Sequence, residues 1–406
     1  MTTHVTPHAA TAAKIPSRLP RGFRGATAKA GIRKGPGDDL ALVAADAEAS
    51  VAAVFTRNRF AAAPIALSRR HLVESGGRGR GVLINAGCAN AATGAAGDAD
   101  ALRTARELAA TLGTTPSRCL INSTGVIGRR LPIDSLCAAI PGLVASLDRD
   151  CGDRIARAIM TTDTAPKGVE RRVRAADGSE ISIVGFCKGA GMIHPNMATM
   201  IGVVLTDASV EPVPLSRLLR DACDRSFNRV SVDGDTSTND AVFAMASGLA
   251  GAPADTDAFE RAFGDACLDL ARMIAADGEG AQRIVEVAAT GAASPADARE
   301  VAETVGRSLL VRTAIAGGDP NWGRIVAAIG RTAAAFDPNR IRVEANGLPL
   351  FAHGAPAIED LSALERVFSG DRVEIAIDLA AGPHRDRFLT CDLTAEYVRI
   401  NAEYTT

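Results

Sequence analysis

The residue with the clearest chemical potential is a threonine near the midpoint of this 406-residue chain. Thr199 directly follows a small residue, Ala198, and an apolar run over 201–205 comes soon after it. A turn rich in glycine and containing proline, residues 188–197, precedes it. This arrangement predicts a peptide bond that is cut by its own threonine hydroxyl. The cut would make Thr199 an N-terminus, whose α-amine is its own general base because it ordinarily titrates at about pH 7.7–8.0.

A second segment could stabilise the oxyanion that such a reaction forms. Residues 122–128 read Asn-Ser-Thr-Gly-Val-Ile-Gly. Acyl transfer needs hydrogen-bond donors directed at the developing negative charge, and the Thr124 hydroxyl and the Gly125 N–H are two such donors. Losing one donor of this kind typically costs on the order of 10²–10³ in rate. The alternative interpretation is a simple turn from a strand into a loop.

Other polar segments have simpler local interpretations. Residues 161–167 follow an apolar helix and read in isolation as a capping turn. Residues 231–240 space their acids like a calcium loop, but Thr238 and Ala244 stand where an EF-hand needs glycine and glutamate. We therefore predict a hydrogen-bonded loop there rather than a metal site. A phosphate-binding P-loop is excluded because Lys188 precedes the glycines instead of following them.

Composition limits the class of protein. Hydrophobic residues make up 47% and charged residues 23% of the chain, the balance of a globular protein. The net charge of −2 gives no reason to expect nucleic acid or a membrane surface as a partner. No apolar run reaches the roughly 18 residues that span a bilayer, and residues 1–20 lack the apolar core of a secretory signal. Eight scattered cysteines, without metal-site spacing, predict buried reduced thiols and a cytoplasmic location.

Periodicity predicts a mixture of strands and helices along the whole chain. The predicted strands are 40–43, 51–55, 81–84, 181–186, 201–205, 341–345 and 373–379. The predicted helices are 102–112, 153–160, 214–223, 259–274 and 394–404. Asp98 or Asp100 is expected to cap the first of these helices, and Asn346-Gly347 is expected to form a type I′ hairpin turn. The pattern predicts one α/β assembly, in one body or two lobes.

Taken together, these segments resemble the motifs of the ornithine acetyltransferase family, also called the ArgJ or glutamate N-acetyltransferase family. The resemblance extends from Gly22 to the last residue. It rests on four runs that occur in the family's order, namely 123–128, 188–200, 226–240 and 319–324. One such run is moderately specific, and all four in order are highly specific.

The resemblance implies a fold and a set of site residues. The fold would be a layered α/β sandwich similar to that of the aminopeptidase DmpA group, cleaved between Ala198 and Thr199 into an α chain of residues 1–198 and a β chain of residues 199–406. These chains would assemble as an α₂β₂ heterotetramer. Thr199 would be the nucleophile, with Thr124 and Gly125 as the oxyanion hole. The implied substrate-binding residues are Thr161, Lys188, Thr199, Glu279, Asn401 and Thr406, with Thr162 as an alternative to Thr161.

The resemblance also implies an activity, the transfer of acetyl from N²-acetylornithine to glutamate by a ping-pong mechanism in cyclic arginine biosynthesis. No metal and no prosthetic group would take part, and whether acetyl-CoA is also a donor stays open. Lys188 and Glu279 suit an amino-acid substrate, because one can pair with a carboxylate and the other with an ammonium group. Two rivals are a self-cleaving aminopeptidase or amidohydrolase, in which water is the acceptor, and a binding protein that has lost the cut. Cys88 departs from the family, which usually has asparagine at that position.

Overall fold

The computed structural model describes residues 15–194, 200–358, 364 and 366–403. The described chain forms two compact units. The larger unit comprises residues 15–228 and 235–270, and the smaller unit comprises residues 229–234 and 271–403. Both units contain helices and strands, so the predicted α/β class is confirmed.

The larger unit is built on an eight-stranded sheet. Its strands are β1 (Phe23–Ala28), β2 (Leu40–Phe55), β3 (Arg78–Cys88), β4 (Cys119–Val126), β5 (Lys167–Arg174), β6 (Glu180–Lys188), β7 (Ile201–Thr206) and β8 (Ala241–Ala246). They lie in the order β4-β3-β2-β8-β7-β6-β5, and β1 pairs with β2. The pairs β3–β4 and β7–β8 are parallel, whereas the other neighbours are antiparallel.

Helices flank this sheet. They are α1 (Ala63–Glu74), α2 (Gly94–Leu112), α3 (Ile133–Ala145), α4 (Gly152–Ala158), α5 (Pro212–Arg225) and α6 (Thr256–Ala276), with short 3₁₀ helices at Pro116–Arg118 and Phe227–Arg229. Side chains of a strand alternate between the two faces of its sheet. Val43 accordingly lies in one apolar core with Ile155 of α4, whereas Leu42 lies in another with Leu108 of α2. Helices therefore cover both faces of the sheet, which is the layered arrangement that the resemblance implied.

The smaller unit contains a six-stranded sheet. Its strands are β9 (Ile284–Ala292), β10 (Arg342–Ala345), β11 (Leu348–Ala352), β12 (Ala355–Pro356), β13 (Arg372–Asp378) and β14 (His384–Cys391), in the order β12-β11-β10-β13-β9-β14. Its helices are α7 (Pro295–Gly306), α8 (Leu309–Ala316), α9 (Trp322–Ile329) and α10 (Ala395–Glu403). Asn346 and Gly347 both have positive φ, 46° and 78°, between β10 and β11. The predicted type I′ turn is therefore confirmed.

Two local predictions were wrong. The two predicted strands 40–43 and 51–55 are one continuous strand, β2, whose pairing with β3 is irregular between Ala44 and Ala49. The polar residues of that irregular stretch look like a break in the sequence. Helix α2 begins at Gly94, so Asp98 and Asp100 lie inside it rather than capping it. Asp100 pairs with Arg130 instead, at 2.8 Å.

In the described parts of the chain, no helix is both long and apolar enough to cross a bilayer.

Candidate active site

The proposed oxyanion loop, Thr124 and Gly125, lies at the end of β4 in the larger unit. Thr124 is buried. Gly125 has a φ of +128°, a backbone angle that residues other than glycine rarely adopt. A Cβ atom at Gly125 would lie 2.3 Å from the carbonyl carbon of Gly87 on the neighbouring strand β3. Glycine is therefore required here both by the backbone angle and by the close approach of another strand.

Below this loop lies a set of buried uncharged side chains, Asn85, Asn122, Ser123 and Asn239, which we call the amide network. Asn239 donates from Nδ2 to two backbone carbonyls, Ala89 O at 2.7 Å and Ser123 O at 2.9 Å. Asn122 donates to Asn239 O at 3.0 Å, and Ser123 Oγ donates to Asn85 Oδ1 at 2.6 Å. The network fixes the backbone immediately before Thr124 without using a charge.

A second buried set consists of ionisable side chains, and we call Asp163, Lys167, Lys188 and Asp240 the charged cluster. Lys167 Nζ donates to Asp163 Oδ1 at 2.7 Å. The same carboxylate accepts the N–H of Thr161 at 3.0 Å and that of Gly189 at 2.6 Å. Asp163 thereby joins the 161–167 loop to the turn that follows Lys188. The isolated reading of this loop as a capping turn missed that long-range contact.

The charge state of Asp163 follows from its neighbours. Burial alone would raise the pKa of the Asp163 carboxyl, but the ammonium groups of Lys167 and Lys188 and the N–H of Thr161 outweigh that effect. Together they hold the pKa of Asp163 well below its usual range. Asp163 is therefore an ionised group throughout the neutral range.

Lys188 is the last residue of β6 and is only 3% exposed. It stands opposite Ile201, the first residue of β7, in the antiparallel pairing of the two strands. Its positive charge acts on Asp163 and also on Asp240, which directly precedes β8. Because β8, β7 and β6 are neighbours, Lys188, Met200 and Asp240 lie together at one end of these three strands.

Two of the implied substrate-binding residues lie in the smaller unit. Asn401 on α10 donates from Nδ2 to Glu279 Oε2 at 2.9 Å. Gly280, with a φ of +73°, lets the chain approach that helix, because a Cβ there would meet Tyr397 N at 2.4 Å. Thr394 Oγ1 also donates to Gly280 O at 2.7 Å. These contacts set Glu279, which is half-buried, beside the exposed Asn401.

Some of the predicted site residues lie close together in the structure, and others are not among the residues that it describes. Thr161 and Lys188 are connected through Asp163, as described above. Both Thr161 and Thr162 are half-buried, so the choice between them stays open. Ala198, Thr199 and Thr406 lie outside the described residues. Where the chain is described, no three His, Cys, Asp or Glu side chains are grouped as metal ligands would be.

Sequence reasoning missed the roles of Asn239 and Asp240. Both belong to the segment that was interpreted only as a hydrogen-bonded loop. The two residues are adjacent, yet Asn239 belongs to the amide network and Asp240 to the charged cluster. The sequence does indicate that this segment makes many hydrogen bonds, since 231–240 is rich in Asp, Ser, Thr and Asn. The individual partners could not be found from it, because they lie 40 to 150 residues away.

Comparison with known proteins gives consistent matches over nearly the whole chain. A sequence model of the ArgJ family matches residues 24–406. The arginine biosynthesis bifunctional protein ArgJ of Nitratidesulfovibrio vulgaris is 46% identical over 393 residues, which cover 96% of this chain and 99% of that protein.

Two solved structures also resemble it. The crystal structure of arginine biosynthesis bifunctional protein ArgJ from Bacillus halodurans is 41% identical, with a TM-score of 0.47, and the match covers 50% of this chain and 98% of that one. The crystal structure of ornithine acetyltransferase complexed with ornithine, from Mycobacterium tuberculosis, is 36% identical, with a TM-score of 0.38. That match covers 45% of this chain and 95% of the other.

Proposed function

The chain belongs to the ArgJ family, and from that premise we propose that it is a glutamate N-acetyltransferase that cuts itself between Ala198 and Thr199. It moves acetyl from N²-acetylornithine to glutamate within arginine biosynthesis. The donor is bound first, its acetyl group passes to Thr199, and glutamate then receives it. Residues 1–198 and 199–406 are the two chains of the mature enzyme.

The observation that carries this proposal is the position of the bond along the chain, between two strands that are neighbours in the sheet. Strand β6 ends at Lys188 before the bond, and β7 begins at Ile201 after it. These two strands are hydrogen-bonded neighbours in the larger unit, and β7 pairs on its other side with β8. A cut between them would leave both pieces anchored in one sheet. Self-cleavage without loss of the fold is what an N-terminal nucleophile requires.

Processing is an acyl shift followed by hydrolysis. The Thr199 hydroxyl attacks the Ala198 carbonyl carbon, the peptide C–N bond breaks, and the nitrogen becomes the α-amine of Thr199. Water then hydrolyses the resulting ester between Ala198 and Thr199. The products are a carboxylate on Ala198 and a free hydroxyl and amine on Thr199.

Turnover uses the same hydroxyl. The α-amine of Thr199 takes the proton from Oγ as Oγ attacks the acetyl carbon of N²-acetylornithine. The Thr124 hydroxyl and the Gly125 N–H donate to the oxyanion. The C–N bond of the donor breaks, and ornithine leaves with the proton. The amine of glutamate then attacks the acetyl-threonine ester, the ester C–O bond breaks, and Thr199 Oγ regains a proton as acetylglutamate leaves. Every step uses groups of the chain and the two substrates, so the proposal includes no metal and no prosthetic group.

The remaining substrate contacts are part of the proposal. Lys188 suits a substrate carboxylate and Glu279 a substrate ammonium group. Thr161, Asn401 and Thr406 are proposed to complete the binding set. We also propose a cytoplasmic location and an α₂β₂ assembly by analogy with the family. Acetyl-CoA as a second donor would be revealed by acetylglutamate formed from acetyl-CoA and glutamate alone.

The test compares the wild-type chain with Thr199→Ala and Thr199→Ser. On a denaturing gel, freshly made wild type should give two bands whose junction is at Thr199 by N-terminal sequencing. Thr199→Ala should stay full length and lose acetyl transfer by on the order of 10⁴-fold or more. Thr199→Ser keeps a hydroxyl and should still be cut. A cleaved and active Thr199→Ala protein would refute the nucleophile, and release of free acetate in excess of acetylglutamate would favour the hydrolase.

A further inference from the structure

Asp240 is a buried carboxyl group to which the proposed mechanism gives no role. It is 1% exposed and directly precedes β8. Its Oδ1 accepts the N–H of Met200 at 3.1 Å, and the next residue, Ala241, donates its N–H to Met200 O at 3.1 Å. Both backbone groups of Met200 are therefore held, one by Asp240 and the other by the first residue of β8.

Asp240 is held in its buried position by hydrogen bonds, although burying a carboxyl group costs free energy. Burial raises the pKa of the Asp240 carboxyl, and the Met200 N–H, the charge of Lys188, the Ser237 backbone and the Thr56 side chain offset this only in part. Its backbone is fixed as well, because the N–H of Thr56 donates to Asp240 O at 2.9 Å. Burying a carboxyl group costs free energy, so a carboxyl held in such a place is a candidate for a function beyond packing.

Covalent structure connects this carboxyl with the nucleophile. The nitrogen of Met200 is bonded to the carbonyl carbon of Thr199. Because the peptide group is planar, whatever holds the Met200 N–H also restricts the orientation of the peptide that joins it to residue 199. This link persists after processing, since the cut falls on the other side of Thr199. The restraint is therefore available both to self-cleavage and to acetyl transfer.

We propose that Asp240 is a positioning residue, which holds the Met200 amide and thereby orients the peptide that carries the Thr199 nucleophile. The inference rests on the proposed role of Thr199. Asp240 acts through its hydrogen bond to the Met200 N–H and takes no chemical part in the reaction. Misplacing a reacting group by about 1 Å can cost on the order of 10²-fold in rate, so a displaced amide should affect processing and turnover together.

Two substitutions separate the position of the acceptor from the carboxyl group itself. Asp240→Asn keeps an oxygen acceptor at the same distance along the side chain but replaces the carboxyl group with an amide that does not ionise. Asp240→Glu keeps the carboxyl group but moves the acceptor by one methylene. If position matters, Asp240→Asn should be processed and should keep kcat within about threefold of wild type. Asp240→Glu should lose at least about tenfold in both processing rate and kcat, with KM for N²-acetylornithine within about twofold.

A control lies at the other end of β7, the strand that Met200 directly precedes. Asp207 follows β7 directly, is 2% exposed, accepts a backbone N–H from Ser182 at 2.8 Å and pairs with Arg21 at 2.9 Å. Asp207→Glu introduces the same crowding at an equally buried carboxylate and should be processed and turn over like wild type. Thermal unfolding of all variants records any general loss of stability. If Asp240→Glu is not recovered folded, Asp240→Ser, which shortens the acceptor without adding volume, should show the same loss.

The outcomes separate the two proposals. Full activity of Asp240→Glu, loss of activity in Asp240→Asn alone, or equal losses in Asp240→Glu and Asp207→Glu would each overturn the positioning role. In all three cases wild type would still be processed and would still transfer acetyl. If wild type itself is not cut at Thr199, the proposed function fails instead.

Discussion

The amide network and the charged cluster solve the same structural problem in opposite ways. Each holds a segment of buried backbone in the larger unit, the network below Thr124 and the cluster around Lys188. The network uses neutral amides and a hydroxyl, which have little desolvation cost when their hydrogen bonds are satisfied. The cluster buries an ion pair, Lys167 and Asp163, with side-chain exposures of 2% and 0%. Its two partners depend on each other, because removing either leaves a buried charge uncompensated.

The largest difference between the two regions should appear when one charge is removed. In Lys167→Met, Asp163 keeps the N–H groups of Thr161 and Gly189 but loses its directly bonded cation. We expect the free energy of unfolding in urea to fall by roughly 3–5 kcal/mol. An exposed ion pair gives the control, since Arg172→Met breaks contacts with Glu170 and Glu180 at the surface and should leave the free energy of unfolding close to that of wild type. A loss below about 1 kcal/mol in Lys167→Met would mean that the pair does not govern the cluster.

The same pair gives the cluster a pH dependence with a definite sign. The pKa of Asp163 in the folded protein lies below its usual value. A depressed carboxyl pKa contributes stability that is fully present above the unfolded value of about 3.9 and is lost as pH falls through the folded value. The stability difference between wild type and Lys167→Met should therefore be constant from about pH 5 to 7 and narrow below about pH 4. Urea unfolding at several pH values measures this, and a difference that widens in acid would contradict the assignment.

A substitution in the amide network should lower the free energy of unfolding by less than one in the charged cluster, and the loss should not depend on pH. Asn239→Ala removes both donors of one side-chain amide and leaves Ala89 O and Ser123 O buried without them. We expect a loss of about 1–3 kcal/mol, equal at pH 5 and pH 8, because the network contains no ionisable group. Acetyl transfer should also fall, since Ser123 directly precedes Thr124, the proposed oxyanion donor. Asn58→Ala, which breaks a bond to Thr236 O at 2.9 Å, is the control and should leave transfer unchanged. A pH-dependent loss in Asn239→Ala would show that the two regions are not separate.

Both regions show what sequence reasoning can and cannot reach. Strands β6 and β7 around the 188–200 segment were predictable, because their apolar residues form short continuous runs between turn signals. The need for glycine at 125 was not, since it arises from the approach of Gly87 on another strand. The same holds for Asp163, whose partner Gly189 is 26 residues away. Residue types and local spacing identify polar groups that need partners, but the fold decides which partners they meet.

The smallest effect should come from Cys88, the residue that departs from the family pattern. Its side chain is buried, and Sγ lies 3.2 Å from Arg129 O, outside the amide network. The network instead uses the backbone here, because Asn85 Nδ2 donates to Cys88 O at 2.9 Å and Asn239 donates to Ala89 O. A position that contributes only its carbonyl tolerates different side chains.

Cys88→Ser preserves size and a donor, so we expect a loss of about 1 kcal/mol or less and unchanged acetyl transfer. Burial raises the pKa of the Cys88 thiol, so iodoacetamide at pH 8 should react with it only in unfolded protein. Peptide mapping after alkylation with and without urea measures this. Rapid labelling of the folded chain, or a large loss of transfer in Cys88→Ser, would place the thiol itself in the function of the loop. The distinction between backbone and side-chain contributions to the network would then no longer hold.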